Sequence, residues 1–534
     1  MQKILGRFGY VPVQFARASV TSALRVFQRQ RRNYDAGAQS RLTLDFPGTS
    51  VSADSDLVRQ LRVMRARARA LVKNEPYARR YSRLIEKNIA GSAGVQLSLL
   101  GREDDAGDYA RSDLRLSRAE ADQIQRQWNR WCASTWVSSD RRLTWPQVQR
   151  LALRNGCMDG EIFCRLVIDP RNPWLLSLDW LVPEQLDEQL NSSLNGGGEI
   201  RLAVEFDPMG RRSAYHAYRR NPDDFLIGSQ RIGRGDRERI PAGEMVHWYL
   251  PDFIGQTRGV PWLYSAIARV NMLGGYEEAE LVAARVAASK MGFIIPPQGQ
   301  EYAGDGEDAE GNTIVEAQPG TFESLPAGSD LKSFDPQHPN ANFPAFHKCM
   351  LRGVAAGGDV SYHTLTGDLE SVNYSSARIG LLDERDGYAV LQDEFIHGFC
   401  LPIFRAWLVA QSINGTIPLT VEESAAFDEI LWRPRRWAWV DPQKEIGGMK
   451  DAVALGIRSR TQIVAEQGGE IAQTFKELGA EQIALEALGL LPAPEAPPSS
   501  APAGDDEEGD DDEAPAGGSP ARNGAPNRYV FPRG

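Results

Sequence analysis

Cysteine is scarce and unpaired by spacing: five residues in 534 (Cys132, Cys157, Cys164, Cys349 and Cys400), never as C-x-x-C. An odd, dispersed set excludes a disulfide framework and a cysteine-rich zinc site, and suits a reducing compartment. Long apolar runs are missing as well. No run of 18 or more apolar residues occurs, which argues against a membrane span. The dipeptide Gly-Lys is absent from the chain, so no G-x-x-x-x-G-K-[ST] phosphate loop exists. No histidine precedes a glutamate, which excludes an H-E-x-x-H zinc helix, and no G-x-S-x-G elbow presents a serine. The scattered His216, His247, His338, His347, His363 and His397 read as structural or surface groups. The expectation is a chain with no catalytic set, no metal site and no cofactor.

Acidic groups are absent from the first 32 residues, which carry seven basic ones, Lys3, Arg7, Arg17, Arg25, Arg29, Arg31 and Arg32. That pattern reads as a flexible basic arm that docks on an acidic partner or nucleic acid, with an organelle presequence as the alternative. The opposite end is acid-rich. From Leu491 to Gly534 nine acidic residues stand against three arginines, so the tail holds −6 of the formal net charge of −11. Its Pro, Ala and Gly content predicts disorder. Its acids suit a basic region of a partner, or solubility alone.

What remains is large enough for two or three structural units. Residues 56–90 read as two Arg-rich helices, with Asn74 as a cap, Pro76 in the next first turn and Gly91 beyond the end. The arginines of LRVMRARARALV suit phosphate, or a solvated or subunit-facing surface. Ser117 with Glu120, and Thr144 with Gln147, open two further helices, the second ending near Gly156. Trp128 and Trp131 share one face and read as core. Strands follow at EIFCRLVI, WLLSLDWLV, EIRLAVEF, RSAYHAYRR and EMVHWYL, with DPMG as a hairpin turn. Residues 56–255 therefore predict an α+β domain with a mixed or antiparallel sheet.

A helix spans about 262–289, interrupted by Gly274-Gly275, which implies a bend or a tight crossing. Its Ala283, Ala284, Ala287 and Ala288 offer a thin surface for another helix. Residues 291–341 turn to short strands with Pro, Gly and acidic loops (GFIIPP, TIVEA, GTFESL), and a helix near 344–354 follows. The next stretch, GGDVSYHTLTGDLESVNYSSARI, is a polar loop leading into a long helix with no strong break before Pro402. Ala377, Leu381, Tyr388, Leu391, Phe395 and Phe399 form one stripe on it, and Ile379, Leu382, Val390 and Ile396 a second, which predicts burial on more than one side. Asp441 and Pro442 open another helix, others end near Gly456 and Gly468-Gly469, and a last one covers about 470–488.

One acidic pair deserves a chemical reading. Asp159 and Glu161 stand at the start of a strand, where a metal-dependent nuclease holds its ion. No lysine follows nearby, since the strand reads Glu161-Ile-Phe-Cys-Arg165. An Asp-Gly turn followed by an outward carboxylate accounts for the same residues.

Five segments in order, NEPYARRYSRLIEKNIAGSAGVQL, DGEIF, GVPWLYSAIARVNMLGGYEEAELVAARVAASKMGFI, SYHTLTGDLESVNYSSARI and WVDPQKEIGGMKDAVALGIRSRTQIVAEQGGE, resemble the lambda-type phage portal protein family across roughly residues 56–470. The resemblance implies an α+β portal-like fold that assembles as a homo-oligomeric, typically dodecameric ring at one capsid vertex, built in the host cytoplasm. Double-stranded DNA passes through its channel during packaging and ejection. The terminase large subunit, head-completion and tail adaptor proteins, and the major capsid or scaffold protein are the implied partners, with no membrane. Carried onto this chain, 1–55 is the basic arm, 56–260 with the long helix 376–411 the wing, and 261–290 with 342–357 the paired stem helices. Residues 291–341 are the clip, 358–375 the channel loop, 412–490 the wing end and helical crown, and 491–534 the tail. Tyr362, His363, Thr364, Asp368, Glu370, Asn373 and Tyr374 are then the candidate DNA-facing residues, and Ala283, Ala284, Ala287 and Ala288 the stem-packing ones. The loop carries no lysine or arginine before Arg378, so it guides or blocks DNA and does not grip it. Two rivals are a nuclease using Asp159 and Glu161, and a monomeric adaptor that binds nucleic acid through the 59–87 helices.

Overall fold

The computed structural model describes residues 48–99, 116–224, 236–289, 342–370, 374–427, 430–437, 442–467, 469 and 471–488, with strand pieces at 3–6, 9–12, 292–295, 306–307, 313–314 and 330–333. The chain divides into two units, Met1–Ile471 and Ala472–Gly534. The expected disordered tail, the GTFESL strand and Asp441 lie outside the described residues.

The N-terminal region expected as a flexible arm begins with an antiparallel hairpin of β1 (Lys3–Gly6) and β2 (Gly9–Pro12). Helix α1 (Ala53–Asn74) follows an N-cap at Ser52, and a single residue separates its end from α2 (Pro76–Ile89). Asn74 is the last residue of α1 and not the expected cap of α2. The joint is Glu75, held extended at φ −101° and ψ 125°, because a residue before proline is pushed out of the helical region. Next come β3 (Gln96–Leu99), α3 (Arg118–Ala133) and α4 (Trp145–Asp159). Both expected capping boxes are present. Helix α4 runs past Gly156 to Gly160, whose φ of +89° supplies the left-handed stop.

Strands β4 (Glu161–Ile168) and β5 (Leu176–Leu181) pair antiparallel. A second sheet contains β6 (Ser192–Ser193), β7 (Glu199–Arg201), β8 (Val204–Phe206), β9 (Arg212–Tyr218) and β10 (Arg237–Pro241) in spatial order 10-9-8-7-6. EIRLAVEF, expected as one strand, is the hairpin β7–β8. Leu202 and Ala203 sit at its turn with φ of 51° and 68°. A two-residue hairpin turn of this kind requires the left-handed region at both positions. Both side chains are fully buried, which offsets the strain. The turn before β9 matches expectation. Strand β11 (Met245–Tyr249) then joins the first sheet on the other side of β4, again antiparallel.

Helix α5 (Ile267–Ser289) leads to the pieces β12 (Gly292–Ile295), β13 (Gly306–Glu307), β14 (Thr313–Ile314) and β15 (Asp330–Ser333), paired 12 with 15 and 13 with 14. Helix α6 (Phe343–Gly357) returns antiparallel to α5: Tyr276 rests against Phe343 and Phe346, and Ser265 donates to the Gly357 carbonyl at 3.1 Å. After α7 (Tyr362–Thr366) the long helix α8 (Tyr374–Phe395) passes through a π turn, Ile396–Cys400, into α9 (Leu401–Ile413). Pro402 does not end it. The widened turn just before absorbs the missing N–H, as π bulges do. Helix α10 (Val421–Ala426) precedes β16 (Ile430–Arg433), which pairs antiparallel with the distant β3. Helices α11 (Pro442–Ala454), α12 (Arg460–Glu466) and α13 (Ile471–Ala487) close the described chain.

The main core gathers α2, α3, α4, β4, β5 and the far half of the long helix. Trp128 stands edge-on to Phe404 and Trp407, with centroids 5.0 and 5.2 Å away, and Trp131 and Trp145 complete the cluster. Edge-to-face aromatic packing adds about 0.5–1.5 kcal/mol per pair beyond burial. The expected core role of Trp128 and Trp131 is correct. Arg378–Ile413 is long and apolar enough to span a bilayer, yet half of its most apolar window is buried inside this core. The two stripes expected on α8 divide differently. Tyr388, Phe395, Ile396 and Phe399 are buried, whereas Ile379, Leu381, Leu382 and Val390 are exposed within the single chain.

Candidate functional site

Asp159 and Glu161 are brought together, but not for chemistry. Glu161 opens β4 fully buried, so the expected outward carboxylate is wrong. Its Oε1 is ion-paired with Arg65 and with Arg258, the latter at 2.7 Å. Its Oε2 accepts from the Gly259 N–H at 3.1 Å and from His247 Nε2 at 3.0 Å. Burial alone would raise the Glu161 pKa, but Arg258 and Arg65 outweigh it and hold the group well below the carboxylate range. Burial lowers His247 to about 4, so the imidazole is neutral and donates from Nε2. Arg65 also reaches Glu188 at 2.6 Å, and Arg69 bridges Asp159 at 2.6 Å and Glu184 at 2.9 Å. Every carboxylate oxygen of Glu161 faces a donor, which leaves no lone pair directed at open space for a cation. Two of the α1 arginines, Arg65 and Arg69, are likewise spent inside the chain, whereas Arg59, Arg62 and Arg67 are exposed on the solvated face the sequence suggests.

The stretch after α6 is folded more tightly than a loop. Asp359 takes a left-handed φ of 52°, and Val360 N–H returns to the Ala355 carbonyl at 3.1 Å, reversing the chain. Ser361 then caps α7, accepting from Thr364 N–H at 3.1 Å, and Gly367 at φ +77° ends it. Leu365 is the buried anchor. Around it the candidate residues make bonds within the chain. Tyr362 donates its hydroxyl to Asp368 Oδ2 at 3.0 Å, and Lys348 of α6 lies 3.1 Å from the same oxygen. The Glu370 N–H donates to Asp368 Oδ1 at 3.0 Å. That backbone bond, with Lys348 and Tyr362, draws the Asp368 pKa down to about 2. Thr364 donates to Glu384 Oε2 at 2.7 Å, His363 Nδ1 to the Asp368 carbonyl at 2.9 Å, and Arg80 Nε to the Thr364 carbonyl at 2.9 Å.

The result is a short helix pinned to α2, α6 and α8, with Gly367, Leu369 and Glu370 as its exposed tip. Asn373 lies outside the described residues, and Tyr374 is the first residue of α8. Arg80, Lys348 and Glu384 were missed from sequence, where Arg80 lies 284 positions from its partner. The Ser361–Thr364 spacing, a capping pattern, was the one local signal available.

The candidate stem residues lie elsewhere. Ser265, just before α5, bonds to Gly357 at the end of α6, and Glu277 Oε1 of α5 meets His347 Nε2 of α6. Gly274 packs under the Glu75 carboxylate, which would lie 2.6 Å from an added Cβ. The tight approach is made at Gly274 alone, since nothing lies within 4 Å of a Cβ added at Gly275. Ala283 and Ala284 are half-buried and further along, and the side chains of Ala287 and Ala288 lie outside the described set.

Comparison with known proteins decides what this scaffold belongs to. Residues 39–392 match the phage portal protein, lambda family. The chain belongs to the lambda family of phage portal proteins. It resembles the probable portal protein of Halomonas phage phiHAP-1, with 28% identity over 91% of this chain and 92% of that one. The portal protein B of Escherichia phage lambda is 22% identical over 83% of this chain and 87% of its own. A chain from the neck of a native GTA particle, computed with C12 symmetry, aligns with 79% of this chain and 96% of its own at 13% identity and a TM-score of 0.40. The function is that of a phage portal protein, and the family is structural. The portal family match takes in four of the five segments that carried the resemblance. The fifth, from Trp439 onward, falls beyond it.

Proposed function

We propose that the chain assembles into a ring at the portal vertex and serves as a passive conduit for double-stranded DNA. The observation that carries this reading is membership of the portal family across residues 39–392. The exposed apolar residues of α5 (Met272, Leu281 and Val282) and of α8 (Ile379, Leu382 and Val390) support it, because large apolar side chains exposed in the single chain are available to neighbouring subunits. Terminase, adaptor and capsid or scaffold proteins dock on the ring, and the energy for translocation comes from the motor.

In this reading residues 56–260 with 376–411 form the wing, 261–290 and 342–357 the stem, 291–341 the clip and 412–490 the wing end and crown. Residues 358–375 face the channel and guide or block DNA. The intrachain bonds of Tyr362, His363, Thr364 and Asp368 leave Gly367, Leu369 and Glu370 as the part that meets DNA. An acidic tip repels phosphates and does not accumulate the counterion-release affinity that would stall sliding. Shortening Thr364–Ser371 should impair packaging or retention of DNA while rings still form. Normal genome-filled particles from that variant would rule out the role of the loop.

A further inference from the structure

A basic recess lies away from α7, where the C-terminal half of α2 runs antiparallel to α4. Arg83 and Lys87 stand one helical turn apart on α2, and Arg150 and Arg154 one turn apart on α4, so each helix presents a pair of cations on one face. Arg435, from the segment after β16, joins them. The recess holds about 580 Å³, and Glu86 is the single carboxylate among its lining residues.

Three of the five cations are held in place by the protein. Arg150 donates to the Ser92 carbonyl at 2.5 Å, and Arg154 grips Glu86 with two nitrogens at 2.9 and 3.1 Å. Arg435 donates to the Lys87 carbonyl at 2.6 Å and to Asn88 Oδ1 at 2.8 Å, its stem lying over Gly91. Glu86 is therefore already neutralised. Arg83 and Lys87 are exposed and make no ion pair among the described residues. Burial, and then the nearby Arg385, lower the Arg435 pKa.

We propose that this recess is a docking site for an acidic peptide segment of a partner protein. Pre-oriented guanidinium groups match carboxylates in paired, charge-assisted hydrogen bonds. The volume lies within the roughly 300–1,000 Å³ of recesses that enclose small groups. Carboxylate side chains enter such a space singly. A DNA duplex, whose major groove alone is about 12 Å wide, would lie across the mouth and reach only the rim. The whole chain has a formal charge of −11, yet residues 1–32 carry seven basic groups and no acid, so binding is assigned to this patch by the difference between the wild type and a variant of the recess. The inference goes beyond the conduit reading and does not depend on ring formation.

The test uses the full-length protein and a short fluorescein-labelled oligo-glutamate peptide, followed by anisotropy, with a short DNA duplex as a second probe. The peptide should bind in a salt-sensitive manner, and the double variant Arg83→Glu/Lys87→Glu should weaken it about tenfold or more. Both replaced side chains are exposed, and an unchanged circular dichroism spectrum verifies the fold. The variant Arg154→Gln, which loosens Glu86 without reversing a charge, should weaken binding less. Equal peptide affinity in the wild type and the double variant, or no binding at all, would overturn the proposal. A loss confined to the duplex would overturn it too, by assigning the recess to phosphate.

Discussion

Thr364 and Glu384 are joined across the step from α7 to α8, the threonine hydroxyl donating to the glutamate Oε2 at 2.7 Å. The other oxygen of Glu384 accepts from Tyr388, also at 2.7 Å. A buried carboxylate thus holds the short helix against the rod with two hydroxyl donors. Replacing Thr364 by valine keeps the shape and removes one donor, at a cost of about 1–3 kcal/mol for the stranded oxygen. Amide exchange over residues 361–366 should accelerate by about tenfold while α9 stays protected. Unchanged exchange there would show that the bond does not anchor the helix.

Gly398, in the π turn, has no room for a methyl group, because the indole of Trp248 fills the space. That indole donates to the carbonyl of Glu394, in the last turn of α8 just before the π turn, at 3.1 Å. Gly398→Ala should destabilise the chain by about 1–3 kcal/mol through overpacking. Gly380→Ala, where nothing lies within 4 Å, should be neutral or stabilising by up to about 1 kcal/mol. Thermal melts of the two variants decide it.

The network around Glu161 predicts acid sensitivity. The folded pKa of His247 is lowered to about 4, against about 6.5 in an unfolded chain. Its contribution is complete above about 6.5 and is lost as pH falls toward 4. Glu161 is also depressed, so its contribution fades below about 4.5, the same direction. Melting temperature should fall in two stages on acidification. His247→Gln, which keeps a donor for Glu161, should flatten the first stage only. Glu161→Gln should cost about 3–5 kcal/mol at neutral pH by leaving Arg65 and Arg258 under-paired.

The exposed apolar face of α8 predicts an assembly defect without a folding defect. Val390 is 63% and Ile379 70% exposed. Val390→Asp or Ile379→Asp should leave the melting temperature of the single chain unchanged while shifting sedimentation toward smaller species. Full assembly in both variants would place the contact surface elsewhere.

How much of this was readable in advance depends on how local each signal was. Ser117–Glu120 and Thr144–Gln147 announce their helices because a cap and its partner are three residues apart. The β-hairpin before Arg212 is announced by DPMG in the same way. Pairing of β16 with β3 joins residues more than 300 positions apart, and no turn marks it. Burial of Glu161 was illegible for a related reason: its partners Arg65, His247 and Arg258 come from three separate elements. The break at Leu202-Ala203 carries no glycine or asparagine, so the left-handed turn left no trace in residue type. The pinning of α7 depends on Arg80 and Lys348, both outside the segment itself.

The measurement closest to the central claim is electron microscopy of the purified full-length protein in negative stain. End-on views should show rings with a central hole, sized to pass duplex DNA. Uniformly monomeric particles at high protein concentration would contradict the account.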